Sequence, residues 1–406
     1  MNADALRTRG RAGSWRRRMV PRDARESHRG VSPLELLVDL CFVVAVASAA
    51  SELRRLVAGG HVVPGLLGYL LIFFLIWWSW VSFTWFASAY DTDDVPFRLL
   101  ALLQTAGVLI LAAGVPDALA HHEFATVIAG YAIMRAAMVA QWMRAAAEHP
   151  TGRSAALRYV AGIGFCLVVA LTSGLLPHPW GSAGLGLLIV AELAVPVWAE
   201  SRGRPTSWHP EHINERYGMF TMIVLGQCVA AVTVAVHAAI SDHGLSASLL
   251  ALAVGSMALL FGLWWSYFNL KADAAETLRV SRGSAAIWAY GHYVVFAALA
   301  ALGAGLEVVV ETVERGGPAP APTAAFAVAV PVAVYLVVVG VLHDPVRRAG
   351  LHRQSDATVT AILSLAVAGS TLFLPLWTAV LAMGGCLTIQ VAADVVSTHR
   401  DSVSRT

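Results

Sequence analysis

Charged residues are scarce in this chain of 406 residues, at only 13% of the total. A typical soluble domain carries about 25%, so about half of the usual charge is missing. Lysine occurs once, at Lys271, and the four cysteines lie apart in apolar segments with no CxxC spacing. The cysteines therefore indicate neither a disulfide framework nor a zinc site. The sequence also lacks a Ser/His/Asp constellation and a nucleotide-binding glycine loop.

The chain contains long apolar segments that lack charged residues. Residues 65–82 and 326–342 contain no acid or base apart from tyrosine, and the mean hydropathy of the chain is +0.66. Because a helix needs about 20 mostly apolar residues to cross a bilayer, the chain offers many spanning segments. We predict an all-α integral membrane protein.

Polar breaks divide the apolar runs into twelve predicted transmembrane helices of about 20 residues each. They begin near Pro33, Gly65, Pro96, Glu123, Leu157, Gly181, Glu215, Ser246, Ser284, Thr323, Ala357 and Leu376.

The arginines predict the orientation. Residues 1–30 carry nine arginines and three acids without an apolar period, which predicts a disordered basic tail and not a signal peptide. Such segments beside a first span more often set topology and contact anionic lipid than bind nucleic acid, so we expect no nucleic-acid partner. With this tail in the cytoplasm, most loop arginines fall on the cytoplasmic side, as the positive-inside rule requires. We therefore expect a multi-pass protein of the bacterial inner membrane with both termini cytoplasmic.

An internal similarity predicts a repeat. Glu35 precedes the apolar run of the first helix as Glu215 precedes that of the seventh, and "IWWSWVSF" in the second helix matches "LWWSYFNL" in the eighth. Six crossings return a chain to its starting side, so the two halves would have the same orientation, as in parallel transporter repeats. We predict two parallel six-helix repeats, residues 31–205 and 206–398, followed by a short tail, 399–406.

Several long motifs carry a family resemblance. The stretches "SPLELLVDLCFVVAVA", "WWSWVSFTWFASAYDTDDVPFRLL", "HPEHINERYGMFTMIVLGQ" and "AYGHYVVFAALAALGAGLE" occur in this order. From about Pro33 to about Asp394 the chain resembles the bacterial low temperature requirement protein A family. The resemblance implies a polytopic membrane protein of a family linked by name to growth in the cold, and it does not imply a particular mechanism. One departure is Gln227, where the family usually has Glu, so a mechanism that needs a carboxylate there is in question.

Charged residues within predicted helices are candidate site residues, because each costs roughly 2.5–3.5 kcal/mol on insertion scales. Arg135 and Glu192 lie at the same expected depth in the fourth and sixth helices, which suggests a midplane ion pair. It would be either a structural clamp or part of a substrate or ion path. Glu35 and Asp39 lie one turn apart on the first helix and repel unless a cation, a proton or an arginine joins them.

Two further candidates lie in the second half. Glu215 stands near His212 at the start of the seventh helix. A metal site there is disfavoured, because Pro210 prevents the potential ligands on either side of it from lying on one continuous helix. His292 could carry a proton or simply be a hydrogen-bonded core group. We expect no metal and no cofactor.

The segment "DTDD" adds three acids after four tryptophans. Asp94, followed by Val95 and Pro96, predicts an N-cap with proline in the first turn of the third helix. Asp91 and Asp93 would either attract a cation toward Asp39 or, as in the DxDD motif of class II terpene cyclases, act as a general acid.

The sequence therefore favours a transporter or channel for a small solute or ion, with coupling to protons as one option. The candidate binding residues are Arg135, Glu192, Asp39, Glu35, Glu215 and His292. The alternative is a membrane enzyme that acts on a lipid-soluble isoprenoid, with Asp93 and Asp91 as its catalytic acids.

Overall fold

The computed structural model describes residues 15–22, 30–176, 180–202, 206–270, 278–279, 281–343 and 351–404. Most of the predicted basic tail, together with Arg204, Lys271, Arg347 and Arg348, lies outside the described residues. No β-strand occurs within the described ranges, so they are all-α as predicted.

Twelve long helices occupy the described residues. They are α1 (Pro33–Ala58), α2 (Val62–Tyr90), α3 (Val95–His121), α4 (Ala125–Glu148), α5 (Arg153–Ser173), α6 (Trp180–Glu200), α7 (Pro210–His243), α8 (Ala247–Leu270), α9 (Arg282–Arg315), α10 (Ala321–His343), α11 (Leu351–Gly369) and α12 (Leu376–Ser404). A helix begins within six residues of every predicted start.

Ten of the described helices are long and apolar enough to cross a membrane. The other two are α4, which carries Arg135, Arg144 and Glu148, and α11, whose apolar part is short. The structure is that of a multi-pass membrane protein. The twelve crossings and the parallel repeat remain predictions.

The chain divides into two compact units that are discontinuous in sequence. Unit 1 comprises Met1–Ala45 and Leu75–Arg216, and unit 2 comprises Val46–Phe74 and Tyr217–Thr406. Three helices, α1, α2 and α7, are therefore each divided between the two units. All the charged residues of the candidate site described below belong to unit 1.

Unit 1 packs consecutive helices against one another, α3 on α4, α4 on α5 and α5 on α6. Glycine allows the closest of these approaches. A Cβ on Gly107 would lie 2.8 Å from the carbonyl oxygen of Gly130, and a Cβ on Gly130 would clash with the backbone of Leu111. Small residues let apolar helices approach closely, which is where much of the packing energy of membrane helices arises.

In unit 2, α9 packs against α10, α10 packs against α11, and α12 packs against α8. Most of the apolar part of α9 is buried. Arg54 forms ion pairs with Glu307, at 3.4 Å between Nε and Oε2, and with Glu311. These three side chains remain between about one-fifth and one-third exposed.

The glycine contact predicts a stability effect. Gly130→Leu forces α3 and α4 apart, because the added side chain meets backbone atoms that cannot move aside. We expect a loss of about 1–3 kcal/mol or more in the free energy of unfolding, the usual range for overpacking. Thermal unfolding of the purified protein in detergent measures it. The control is Gly164→Leu on α5, where an added Cβ meets no atom within 4 Å; equal destabilisation of both variants would contradict the prediction.

Candidate functional site: two buried charge clusters

The structure brings Arg135 and Glu192 together. Arg135 Nη1 lies 3.6 Å from Glu192 Oε2, and both side chains are only 1% exposed. Trp78 Nε1 donates a hydrogen bond of 2.7 Å to the same carboxylate, and the Tyr131 hydroxyl donates to its second oxygen. Glu192 is therefore bonded through neutral donors as well as paired with a guanidinium.

Arg135 has its own neutral partners. Its Nη2 donates to Ser79 Oγ at 2.8 Å and its Nη1 to Ser82 Oγ at 3.2 Å. Its guanidinium carbon also lies 4.9 Å from the centre of the Tyr131 ring, within cation–π range. The pair and these partners form the Arg135 cluster, which combines one positive with one negative charge.

A second group, the Arg216 cluster, joins α1 to the start of α7. Arg216 Nη2 lies 2.6 Å from Asp39 Oδ1, and its Nη1 lies 3.2 Å from Glu35 Oε1. His212 Nε2 lies 3.2 Å from the same glutamate oxygen. All four side chains are at most 1% exposed.

Hydrogen bonds to the neighbouring Ser32 hold the Glu35 side chain in position. Its amide donates to Ser32 Oγ at 3.2 Å, and its Oε2 accepts a bond of 2.9 Å from the Ser32 amide. This reciprocal pattern is a capping box at the start of α1. Oε2 therefore caps the helix and also lies 3.4 Å from His212 Nε2, while Oε1 lies 3.2 Å from both Arg216 Nη1 and His212 Nε2.

Asp39 is bonded on one oxygen. Its Oδ1 accepts from Arg216 and also from Trp80 Nε1 at 2.7 Å. Its Oδ2 is buried and has no hydrogen-bond partner among the described residues. Two carboxylates and one guanidinium leave a formal charge of −1 when His212 is neutral, and one bound proton or monovalent cation would remove it.

Helix α2 lies between the two clusters. Trp78, Ser79 and Ser82 contact the Arg135 cluster, whereas Trp80 contacts Asp39 and Thr84 Oγ1 accepts from Arg216 at 3.3 Å. Residues 80 and 84 are one turn apart and share a face. The tryptophan-rich motif thus supplies neutral hydrogen-bond partners to both clusters.

The three acids of "DTDD" have separate surroundings. Asp94 caps α3 as predicted, and its Oδ1 accepts from the Phe97 amide at 3.1 Å. Asp93, with a φ of 49°, is 46% exposed and receives two hydrogen bonds from Arg98. Asp91 accepts from the Asp93 amide and lies 3.8 Å from Arg22. Asp93 therefore lies at the surface in contact with Arg98, and the three acids do not share one environment.

Part of the N-terminal segment is held against this turn. The Arg17 amide donates to Asp94 Oδ2 at 2.7 Å, and Arg144 Nη1 donates to Asp94 Oδ1 at 2.9 Å. The Met19 amide donates to Glu148 Oε2 at 2.5 Å, and the Met19 side chain is fully buried. The composition of residues 1–30 gives no sign of these contacts.

The two remaining predicted residues lie outside both clusters. Glu215 is only partly buried. His292 lies in unit 2, fully buried, where its Nδ1 donates to the Trp288 carbonyl oxygen at 2.7 Å and its Nε2 lies 3.0 Å from the Tyr267 hydroxyl. Tyr217 and Phe296 also contact its ring, which makes it a bonded core histidine.

Sequence reasoning missed the role of Arg216 and His212. Both stand in "HPEHINERYG", a stretch in which the sequence pattern points to Glu215. Their separation of four residues puts them on one helical face, and that face meets α1. The signal available beforehand was the pair of carboxylates at Glu35 and Asp39, which required a cation.

The buried ion pair predicts a non-additive stability effect. Arg135→Gln leaves Glu192 buried without its counter-charge, and we expect a loss of about 3–5 kcal/mol in unfolding free energy. The double variant Arg135→Gln/Glu192→Gln removes both charges and should recover part of this loss. Thermal unfolding of the four proteins of the cycle measures the coupling. A double variant as unstable as the sum of the two single variants would contradict it.

Asp94 predicts a pH effect outside the membrane-spanning helices. Burial alone would raise the pKa of Asp94, but hydrogen bonds from Arg144, the Arg17 amide and the Phe97 amide hold this pKa well below its ordinary value. The ionised carboxylate therefore stabilises the fold above the unfolded-state pKa of about 3.9, and this stabilisation is lost as the pH falls through the lower folded-state pKa.

We expect Asp94→Asn to cost about 1.5–3 kcal/mol at pH 7, the range for hydrogen bonds to charged groups. The difference from wild type should shrink as the pH falls below about 4. Melting temperatures recorded between pH 3 and 7 test this. Asp93→Asn is the control, because its exposed pair with Arg98 is worth at most about 1 kcal/mol; a difference for Asp94→Asn that does not depend on pH would refute the assignment.

Comparison with known sequences agrees with the motifs. A sequence profile described as Bacterial low temperature requirement A protein (LtrA) matches residues 30–393, which confirms the resemblance. The protein RA0937 of Rhizobium meliloti (strain 1021), named as uncharacterized, is 24% identical over 272 residues. The alignment covers 64% of this chain and 64% of that protein, so it spans just under two thirds of the relative.

Proposed function

Because this chain belongs to the bacterial low temperature requirement A protein family and is a multi-pass membrane protein, we propose that it moves a small solute or ion across the membrane with protons as the coupled or conducted species. The Arg216 cluster is the proposed proton site, with Asp39 as its central acceptor. The Arg135 cluster is the second element of the proposed path.

The observation that carries this proposal is the charge imbalance of the Arg216 cluster. Buried charge is expensive in a membrane protein and persists where it is paired or functional. The cluster pairs one guanidinium with two carboxylates, and Asp39 Oδ2 has no donor among the described residues. A proton on Asp39 or on His212 brings the formal charge to zero, so the cluster has a reason to exchange protons.

The Arg135 cluster has a different task in this scheme. Its charges already balance, and Trp78, Ser79 and Tyr131 satisfy them further. A charge-balanced pair holds its helices in position, because breaking it would leave one charge buried alone. It therefore fixes the rotation of α2, which carries Trp80 to Asp39.

The proposed location follows from the arginine distribution. We place the protein in the bacterial inner membrane with both termini in the cytoplasm. Glu35 and Asp39 lie near the beginning of α1, so in this topology the Arg216 cluster lies toward the cytoplasmic side and Arg135 lies deeper.

Flux measurements test the proposal. Purified protein in proteoliposomes, with pH-sensitive and potassium-sensitive dyes, reports proton and potassium movement for wild type and Asp39→Asn. We expect a protein-dependent proton flux that Asp39→Asn reduces at least ~10-fold, because the amide cannot take up the proton. Asp93→Asn is the matched control, since its carboxylate is exposed and outside the cluster.

Two results would count against the proposal. An equal proton flux in wild type and Asp39→Asn would remove Asp39 from the path. A flux of potassium alone that is insensitive to pH would replace proton coupling with simple cation conduction.

A further inference from the structure

Two buried glutamines, one on α3 and one on α4, have side-chain amide atoms without a hydrogen-bond partner among the described residues. Gln141 on α4 is fully buried, and neither its Oε1 nor its Nε2 has a partner among the described residues. Gln104 on α3 is 2% exposed, and its Nε2 likewise has no partner within the described part of the chain. Neither residue belongs to the two charge clusters.

The glycine contacts give the register of these helices. A Cβ on Gly107 would lie 2.8 Å from Met134 Cγ, and one on Gly114 would lie 2.8 Å from the Val127 amide. Gln104 lies three residues before Gly107, and Gln141 lies seven residues after Met134, so each is on the facing side of its helix. In this register the two amides face the same interface, about one turn apart along it.

A buried amide without a partner is strongly unfavourable, because it loses its hydrogen bonds to water and gains none. Native proteins contain few such groups, and each requires an explanation. A ligand for Gln141 must donate one hydrogen bond to Oε1 and accept another from Nε2. Gln104 offers a further donor from the opposite helix.

The charges nearby decide the class of ligand. Along α4, Arg144 follows Gln141 by three residues and Arg135 precedes it by six, about 4.5 Å and 9 Å of helix rise. Arg144 is bonded to Asp94, and Arg135 is paired with Glu192. Both guanidinium charges are already compensated, so nothing at the glutamines favours an ion.

We propose that Gln141 and Gln104 form a binding site for a small uncharged molecule that both donates and accepts hydrogen bonds, either water or a small amide. The site lies in the α3–α4 interface between the Asp94–Arg144 pair and the Arg135 cluster. This inference is independent of the proton site at Asp39.

Cysteine labelling tests the site. Gln141→Cys and Gln104→Cys are made separately in the full chain, treated with the small neutral reagent methyl methanethiosulfonate, and analysed by peptide mass spectrometry. Ala118→Cys is the matched control, because Ala118 is fully buried on α3 and lies 14 residues from Gln104. Native Cys228, which is 1% exposed, is the internal standard for a dry thiol.

We expect the thiols at positions 141 and 104 to react at least ~10-fold faster than those at positions 118 and 228, because the reactive thiolate forms only where water or a polar partner is present. If both thiols are labelled as slowly as the thiol at position 118, the proposal is wrong and the α3–α4 interface contains no bound water or ligand. If Gln141→Cys does not fold, Gln104→Cys alone decides by the same criterion.

Added formamide distinguishes the two ligand sources. If millimolar formamide protects the thiol of the Gln104→Cys variant, which keeps Gln141, the site accepts small amides, whereas fast labelling without protection supports a site for water alone. Gln141→Met gives a second readout. If its melting temperature rises by several degrees, the amide was dry and the proposal fails; an unchanged or lower melting temperature is the expected result.

Discussion

The contact on which the structure of unit 1 depends is that of Arg216 with two carboxylates of α1. Glu35 and Asp39 repel each other unless a cation, a proton or an arginine joins them, and Arg216 does so from a position 177 residues beyond Asp39. This contact determines which face of α1 meets the start of α7. It also brings Trp80 and Thr84 of α2 into place, because their polar atoms must satisfy the same charges. Three helices are thus held by one buried guanidinium.

The two clusters of unit 1 differ in charge balance, and this difference gives each its proposed role. The charges of Arg135 and Glu192 cancel, and both side chains also have neutral hydrogen-bond partners. The Arg216 cluster carries an additional carboxylate and an oxygen without a donor among the described residues, so a proton can change its energy substantially. A rigid balanced pair beside an unbalanced group is a physically reasonable arrangement for moving protons, since the first maintains the geometry on which the second depends.

Several features followed directly from the sequence. Helix positions were predictable because each apolar run is long and bounded by polar residues. The N-cap at Asp94 was predictable because its signal lies within three residues. The Arg135–Glu192 contact was suggested by equal depth, although depth alone cannot show that α4 and α6 turn these faces toward each other. The apparent repeat points to Glu215, whereas the rotation of α7 turns its neighbour Arg216 toward α1.

The sequence by itself determined that this is an all-α membrane protein of a specific family. It also determined that acidic and basic residues lie within apolar helices, where burying a charge costs free energy. Composition, apolar length and motif order are properties of the chain and survive any arrangement of its helices. Only the tertiary structure decided which charges meet, that Asp93 is on the surface, that residues 15–22 bind the α2–α3 turn, and that Gln141 lacks a partner among the described residues. Those outcomes depend on helix rotation and on contacts between residues far apart in sequence, for which a single sequence carries no local signal.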